Sequence, residues 1–361
     1  MSKSNKHIII ATGGTGGHTF PAVSLMNYLN KNSFITTLTT DKRGLKYIDK
    51  KFVPKTILIN SSPLNKKKKF FSIFKIFFSI LSSLVLLFKN KPKLIFGMGG
   101  YASFPVCFAA IILRIPFIVY ENNLSVGKAN RYLMPFAKKI FVSYEDVEGI
   151  NVKYTNKITI TGNILRENII NHAKMNENEI TGNLNVLVLG GSQAAKVFAE
   201  ILPDIFIKCK KNNINLKIYQ QCLEEQKLEL QKKYNSHDIN YELFSFTFDI
   251  LRYYELTNLV ITRAGSSALA ELLNCKIPII SIPLISSSEN HQFKNAEYFK
   301  KKGFGFMIEE KDIKNRLFDL LETIHKDKSM LKLIKANQIK YSDKNVFETI
   351  KKEIAKLFYE N

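Results

Sequence analysis

The chain is short of cysteine, of acidic residues and of metal-ligand patterns, and each shortage excludes a class of chemistry. Its four cysteines, Cys107, Cys209, Cys222 and Cys275, lie far apart and share no metal-ligand spacing. They read as buried thiols in a reducing compartment. No Gly-x-x-x-x-Gly-Lys-Ser/Thr run occurs, which excludes a P-loop. No helix-turn-helix, zinc-ligand or RNA-binding aromatic motif occurs either, so nucleic acid is not an expected partner. Between Met1–Lys6 and the strand-like His7–Ala11 there is no signal-peptide core, and the chain is expected to stay on the cytosolic side.

Acidic residues number 31 against 53 lysines and arginines, a net charge of +22. Part of that excess reflects a general abundance of Lys, Ile and Asn. The remainder favours an anionic partner and, with nucleic acid set aside, that leaves an acidic membrane surface or a phosphorylated substrate.

At 361 residues the chain exceeds what one hydrophobic core usually serves, so two domains are expected. Short apolar runs alternate with longer amphipathic ones, the rhythm of βαβ units around a parallel sheet. Strands are expected at His7–Ala11, Phe34–Thr39, Thr56–Ile59, Leu94–Gly97, Pro116–Tyr120 and Lys139–Val142. A second series runs through Val186–Leu189, Leu216–Gln220, Asn240–Leu243, Leu259–Thr262 and Pro278–Ile282. The polar stretch Arg166–Asn185 reads as the linker between them, and helices follow from about Lys311. We expect an α/β chain of two Rossmann-like, doubly wound domains, residues 1–165 and 166–345, with a C-terminal helix over 346–361 returning to the first.

Three glycine turns follow strands of these series: Gly13-Gly14-Thr15-Gly16-Gly17-His18, Gly97-Met98-Gly99-Gly100-Tyr101 and Gly190-Gly191-Ser192-Gln193. A turn without Cβ atoms lets backbone N–H groups approach an anion, and a helix starting there adds its positive end. The first turn is near the dinucleotide fingerprint, with Asp41 where a ribose reader would sit, but the third glycine of that pattern is Thr19. His18 stands at a helix start among such amides, where a neutral imidazole could act as base. Its alternative is an orienting hydrogen bond.

Lys66-Lys67-Lys68-Lys69 precedes an apolar segment with five phenylalanines between Phe70 and Phe78: Phe70, Phe71, Phe74, Phe77 and Phe78. The segment running on to Phe88 is nearly long enough to span a bilayer. Lys75 and the serines at 72, 79, 82 and 83 interrupt it, and it lies between two strands of one sheet. An in-plane helix with phenylalanines in the acyl boundary and lysines on anionic headgroups fits better. A buried crossover helix with a solvated lysine loop is the alternative.

Taken in order, Ala11–Pro21, Gly97–Tyr101, Glu121-Asn122-Asn123, Gly162-Asn163-Ile164-Leu165-Arg166, Gly190–Gln193, Arg263-Ala264-Gly265 with Glu271, and His291-Gln292 with Asn295-Ala296 resemble the MurG family of N-acetylglucosaminyltransferases. The resemblance runs over essentially the whole chain. It implies the glycosyltransferase B fold, two Rossmann-like domains facing a deep cleft, working peripherally at the cytoplasmic face of the cell membrane. The implied reaction moves GlcNAc from UDP-GlcNAc to the C4 hydroxyl of the muramyl sugar of an undecaprenyl-diphosphate-linked pentapeptide, with inversion. Partners implied are these two substrates, an anionic membrane surface, and cell-wall synthesis or division proteins. No Asp-x-Asp pair sits at a strand end, so neither a metal nor another cofactor is expected.

The resemblance also distributes roles. His18 is the base, and Asn123 and Thr15 hold a sugar or the acceptor in line. Gly14, Thr15, His18, Gly99, Gly100 and Tyr101 take the acceptor diphosphate. Donor contacts fall to Thr15, Gly16, Gly17, Asn123, Arg166, Ser192, Gln193, Phe246, Thr247, Ser266, Ser267, Ala268, Glu271, His291 and Gln292. Among these Glu271 takes the ribose hydroxyls and Phe246 with Thr247 the uracil. Tyr120-Glu121-Asn122-Asn123 departs from the family's His-Glu-Gln-Asn, as do Ala194, Ser266–Ala268 and His291 from their usual residues. Two other readings stay open: a related glycolipid transferase with another acceptor, and a non-catalytic membrane scaffold.

Overall fold

The structure is a computed structural model and describes residues 6–49, 56–61, 69–172, 183–191, 196–285, 287–343 and 345–359. The chain forms two compact units, Met1–Arg166 with Asp343–Asn361, and Glu167–Ser342.

In the first unit seven strands form one parallel sheet: β1 (His7–Ala11), β2 (Ile35–Thr40), β3 (Thr56–Leu58), β4 (Leu94–Gly97), β5 (Phe117–Glu121), β6 (Lys139–Val142) and β7 (Ile158–Ile160). Their order is β3-β2-β1-β4-β5-β6-β7. β1 reads His-Ile-Ile-Ile-Ala because a central parallel strand is covered on both faces, and Ile8, Ile9 and Ile10 are fully buried. Helices α1 (Gly16–Lys31), α2 (Lys69–Asn90), α3 (Gly100–Ile112) and α4 (Lys128–Leu133) make the crossovers.

The second unit repeats the plan. After α5 (Glu167–His172) come β8 (Leu184–Leu189), α6 (Lys196–Lys211), β9 (Leu216–Gln221), α7 (Glu224–Asn235), β10 (Asn240–Phe244), α8 (Leu251–Leu256), β11 (Leu259–Thr262), α9 (Ser266–Asn274), β12 (Ile279–Ser281), α10 (His291–Lys301) and β13 (Gly305–Met307). The sheet is again parallel, in the order β10-β9-β8-β11-β12-β13. α11 (Ile313–Lys326) and α12 (Ser329–Ile339) close this unit, and α13 (Val346–Tyr359) lies in the first.

α13 is fixed to the first unit by aromatic and ionic contacts. Phe347 stacks on Tyr28 of α1 at 4.8 Å between centroids, and Glu353 pairs with Lys139 of β6 at 3.2 Å. The chain's return is pinned at Asp343, which is buried and accepts the Asn163 N–H at 3.0 Å. Gly162 has a φ of 87°, and a Cβ there would stand 2.5 Å from the Asp343 carboxylate, so only glycine fits.

Three expectations need correction. The linker Arg166–Asn185 is structured at its start: Glu167–His172 is helix α5, held in the second unit by Asn274, whose amide donates to the Ile169 carbonyl at 2.8 Å. Two short strands, β7 and β13, have too few residues to show a period. Three of the four serines of α2 do not interrupt its outer face, whereas Ser82 and Lys75 are exposed on it. Ser72, Ser79 and Ser83 are buried on the inner side, where Ser79 donates to the Asn60 and Lys75 carbonyls and Ser83 to the Ser79 carbonyl. Ile73, Phe74, Phe77, Phe78, Leu81, Val85 and Phe88 are exposed instead. Lys66–Lys68 fall outside the described residues, and so do the side chains of Lys69, Phe70 and Phe71.

Candidate active site

In the first unit the strand order reverses between β1 and β4, the place where open parallel sheets hold ligands. Both glycine turns of that unit leave from it. β1 runs into Thr12-Gly13-Gly14-Thr15, and α1 begins at Gly16 with Thr15 as its N-cap. The Thr15 hydroxyl makes no capping bond, so it does not shield the amides at the helix start. β4 ends at Gly97, and α3 begins at Gly100, with Tyr101 half-buried in its first turn.

His18 joins the two turns. Its Cε1 lies 3.5 Å from where a Cβ on Gly99 would stand, and its Cδ2 and Nε2 lie 3.4 and 3.7 Å from the same point on Gly100. Gly99 and Gly100 have φ of 81° and 75°, so a side chain there would be strained and would crowd the imidazole. Glycine at these positions makes room for the histidine as well as for an anion.

The end of β5 supplies a third arm. Glu121 is buried and accepts four hydrogen bonds: the Asn123 N–H at 3.1 Å and its amide at 3.0 Å on Oε1, the Gly127 N–H and the Asn130 amide, each at 2.9 Å, on Oε2. A carboxylate so surrounded holds Asn123 in one place. Asn130 is a residue the sequence reading missed. Its amide also donates to the Tyr120 carbonyl at 3.0 Å and sits 3.3 Å from the Gly99 Cβ position. Its buried Oδ1 has no partner among the described residues, an acceptor open to a ligand hydroxyl or N–H.

Two other residues of this unit change meaning. Asp41 is no ribose reader, because it is buried and fully engaged: Oδ1 accepts the N–H groups of Gly14 and Gly44, each at 2.8 Å, and Oδ2 pairs with Arg43. The Gly14 amide is thereby committed, and what Gly14 offers a ligand is close backbone approach alone. Tyr120, at the position where the resemblance implies histidine, turns its hydroxyl to Ser143 at 2.9 Å and accepts the Ile164 N–H at 3.0 Å. It braces the chain after Gly162, and burial raises its phenol pKa. Arg166 lies over the ring of Phe20 of α1 at 5.2 Å, beside the helix that carries His18.

In the second unit β8 leads to Gly190-Gly191, and no described residue comes within 4 Å of where a Gly191 Cβ would stand. Ser192, Gln193 and Ala194 lie outside the described residues. Glu271 in α9 is buried, not a surface glutamate, and accepts the Tyr254 hydroxyl at 3.2 Å on Oε2. Ser266, Ser267 and Ala268 form the first turn of α9; the first is buried and the other two are half-buried. Gln292 accepts the Leu284 N–H at 3.0 Å on Oε1, which turns its NH₂ donors outward from that bond. Next to it His291 is half-buried at the start of α10, and Asn295 donates to the Ala264 carbonyl at 3.1 Å. Arg263 is held by Glu310 and lies over Phe198 at 4.8 Å, so it serves the interior.

After β10, Phe246 is exposed and meets Phe248 edge-on at 4.9 Å, while the Thr247 hydroxyl accepts the Asp249 N–H at 3.0 Å. Phe248, also exposed, was not expected. The cysteines are buried as read, and burial pushes the thiols of Cys107 and Cys209 up to about 12.

Comparison with known proteins bears on both units. Residues 8–142 match the glycosyltransferase family 28 N-terminal domain and residues 185–356 the family 28 C-terminal domain. A UDP-N-acetylglucosamine–N-acetylmuramyl-(pentapeptide) pyrophosphoryl-undecaprenol N-acetylglucosamine transferase of Pelagibacter ubique is 34% identical over 99% of this chain and 100% of its own length. Its namesake in Rickettsia felis is 37% identical over 85% of this chain and 87% of that protein. Among solved structures, Acinetobacter baumannii MurG superposes with a TM-score of 0.76 at 22% identity, over 97% of this chain and 99% of that one. A Neisseria meningitidis UDP-GlcNAc 2-epimerase bound to UDP-GlcNAc gives a TM-score of 0.68 at 14% identity, over 97% and 100%. The expected fold, two Rossmann-like domains of the glycosyltransferase B type, therefore stands. With the N- and C-terminal domains of glycosyltransferase family 28 in order, this chain belongs to the family of UDP-N-acetylglucosamine–N-acetylmuramyl-(pentapeptide) pyrophosphoryl-undecaprenol N-acetylglucosamine transferases.

Proposed function

We propose that the protein transfers GlcNAc from UDP-GlcNAc to the C4 hydroxyl of undecaprenyl-diphosphate-linked MurNAc-pentapeptide, inverting the anomeric centre. The observation that carries this reading is the seat of His18 against Gly99 and Gly100, with Glu121 fixing Asn123 and Asn130 beside them. Such a group suits an acceptor with a diphosphate and a nearby hydroxyl. In the reaction His18 takes the hydroxyl proton, the oxygen forms a bond to the donor's C1, and the C1–O bond to the diphosphate breaks. UDP leaves with the electron pair. The first unit presents the acceptor and the base, with Thr15, Gly16, Gly17 and Asn123 reaching the donor sugar and diphosphate and Arg166 countering the charge on departing UDP. The second holds the nucleotide through Glu271, the Phe246-Thr247 loop and Gln292. Transfer of labelled GlcNAc to this acceptor, with diacylglycerol as the competing acceptor, tests the reading; transfer to diacylglycerol alone would favour the glycolipid alternative.

The same reading places the protein at a membrane surface. α2 is long and apolar enough to cross a bilayer by length and composition, but its side carrying Ser72, Ser79 and Ser83 is buried against the rest of the first unit, which favours lying in the interface. The outward side is phenylalanine-rich, and exposed Phe108 and Ile112 on α3 add to the apolar surface. Replacing Phe77 and Phe78 by serine is expected to weaken binding to anionic vesicles by about 20- to 300-fold, since full burial of a phenylalanine is worth roughly 1.5–3 kcal/mol and each of these is a little over half exposed. Replacing Lys66–Lys69 by glutamine should weaken it further at low salt, on the order of 1 kcal/mol per lysine. Vesicle sedimentation reads both, and unchanged partitioning of the serine variant would contradict the membrane reading.

A further inference from the structure

Asp41 poses a question that the reaction above leaves open. A buried carboxylate removes one amide, that of Gly14, from a turn whose amides otherwise serve an anion. It gives back a guanidinium. Its Oδ2 accepts from Arg43 Nε at 3.0 Å and Nη2 at 2.8 Å, a two-point clasp that fixes the plane of the group. Arg43 Nη2 lies 3.7 Å from where a Cβ on Gly14 would stand, so the guanidinium is held against the open face of the first glycine turn. The side chain is 45% exposed, against 3% for Asp41. Two of the five guanidinium N–H groups are spent on Asp41, and the other three have no partner among the described residues.

We infer that Arg43 binds the diphosphate of the isoprenoid-linked acceptor, with Asp41 as its positioning residue. The inference rests on the functional reading above and adds a ligand to it. A guanidinium presents paired donors that match phosphate oxygens, whereas a backbone amide presents one. Its charge is permanent, and the Asp41 clasp removes most of the rotamer freedom that an exposed arginine would lose on binding. Asp41 spends both oxygens on the protein, so its own charge is turned toward the backbone while the outer edge of Arg43 faces out. The exchange of the Gly14 amide for this edge makes the turn selective for a dianionic group over a neutral one.

The test is direct binding by the full chain, in detergent and with saturating UDP, of farnesyl diphosphate against farnesol. Wild type is expected to bind the diphosphate, and Arg43→Gln to bind it about tenfold or more weakly, with farnesol binding the same in both. Arg43→Lys keeps the charge without the fork and is expected to fall between them. Should Arg43→Gln unfold, the several-fold weakening in Arg43→Lys carries the test. Equal affinity for farnesyl diphosphate in wild type and either variant overturns the inference, as does displacement of the diphosphate by UDP. GlcNAc transfer by the same wild-type preparation reports separately on the functional reading. In that assay Arg43→Gln should raise KM for the lipid acceptor and leave KM for UDP-GlcNAc within about twofold.

Discussion

His18→Ala is expected to lower kcat by about 10²- to 10⁴-fold, the usual worth of a positioned general base, while both KM values move little. The effect should fall on chemistry because the imidazole sits against the two glycines of the second turn, where the acceptor is proposed to bind. Substrate binding would still draw on the amides at the start of α1 and α3. The pH profile separates a base from a merely orienting residue. In wild type kcat/KM should fall on the acid side as the base protonates, and that limb should vanish in the variant. Normal turnover by His18→Ala would remove the histidine from the mechanism and leave the family assignment standing.

The second large effect is expected at Glu271. Its carboxylate is buried and accepts the Tyr254 hydroxyl on Oε2, which orients it. Hydrogen bonds to a charged group are worth about 1.5–3 kcal/mol each, so losing one costs roughly 10- to 150-fold. Glu271→Ala should raise KM for UDP-GlcNAc by at least that factor, with KM for the lipid acceptor unchanged. Isothermal titration with UDP alone should show the same loss, because the contact is to ribose and not to GlcNAc. Tyr254→Phe, which removes the hydroxyl that orients Glu271, is expected to cost several-fold. A stability loss in Glu271→Ala with unaltered UDP affinity would make the glutamate structural.

What could be read from sequence and what could not divide along physical lines. The glycine turns were legible because positive φ and close approach demand glycine, and those demands are local. The strands of both sheets other than β7 and β13 were legible because most buried parallel strands are short apolar runs. Asn130 escaped because its meaning comes from Glu121 and the Tyr120 carbonyl, brought together only when β5 and α4 meet. The one signal available was an asparagine beyond Gly127 in a short helix carrying no capping side chain of its own. Asp41 was misread for a similar reason: its position fits a ribose reader, but the Gly14 amide and Arg43 reach it first. On α2 three of the four serines were misplaced because they were counted along the chain and not around the helix; Ser82 does face outward. Residues 72, 79 and 83 share one side, which faces the protein.

The central claim is transfer to a diphosphate-linked muramyl acceptor, and one measurement meets it directly. Purified protein is incubated with labelled UDP-GlcNAc and undecaprenyl-diphosphate-linked MurNAc-pentapeptide, without added metal, and the lipid product and free UDP are quantified together. The account predicts UDP and a GlcNAc-β-1,4-MurNAc lipid in equal amounts. No labelled lipid from wild type, or release of free GlcNAc in its place, would contradict it.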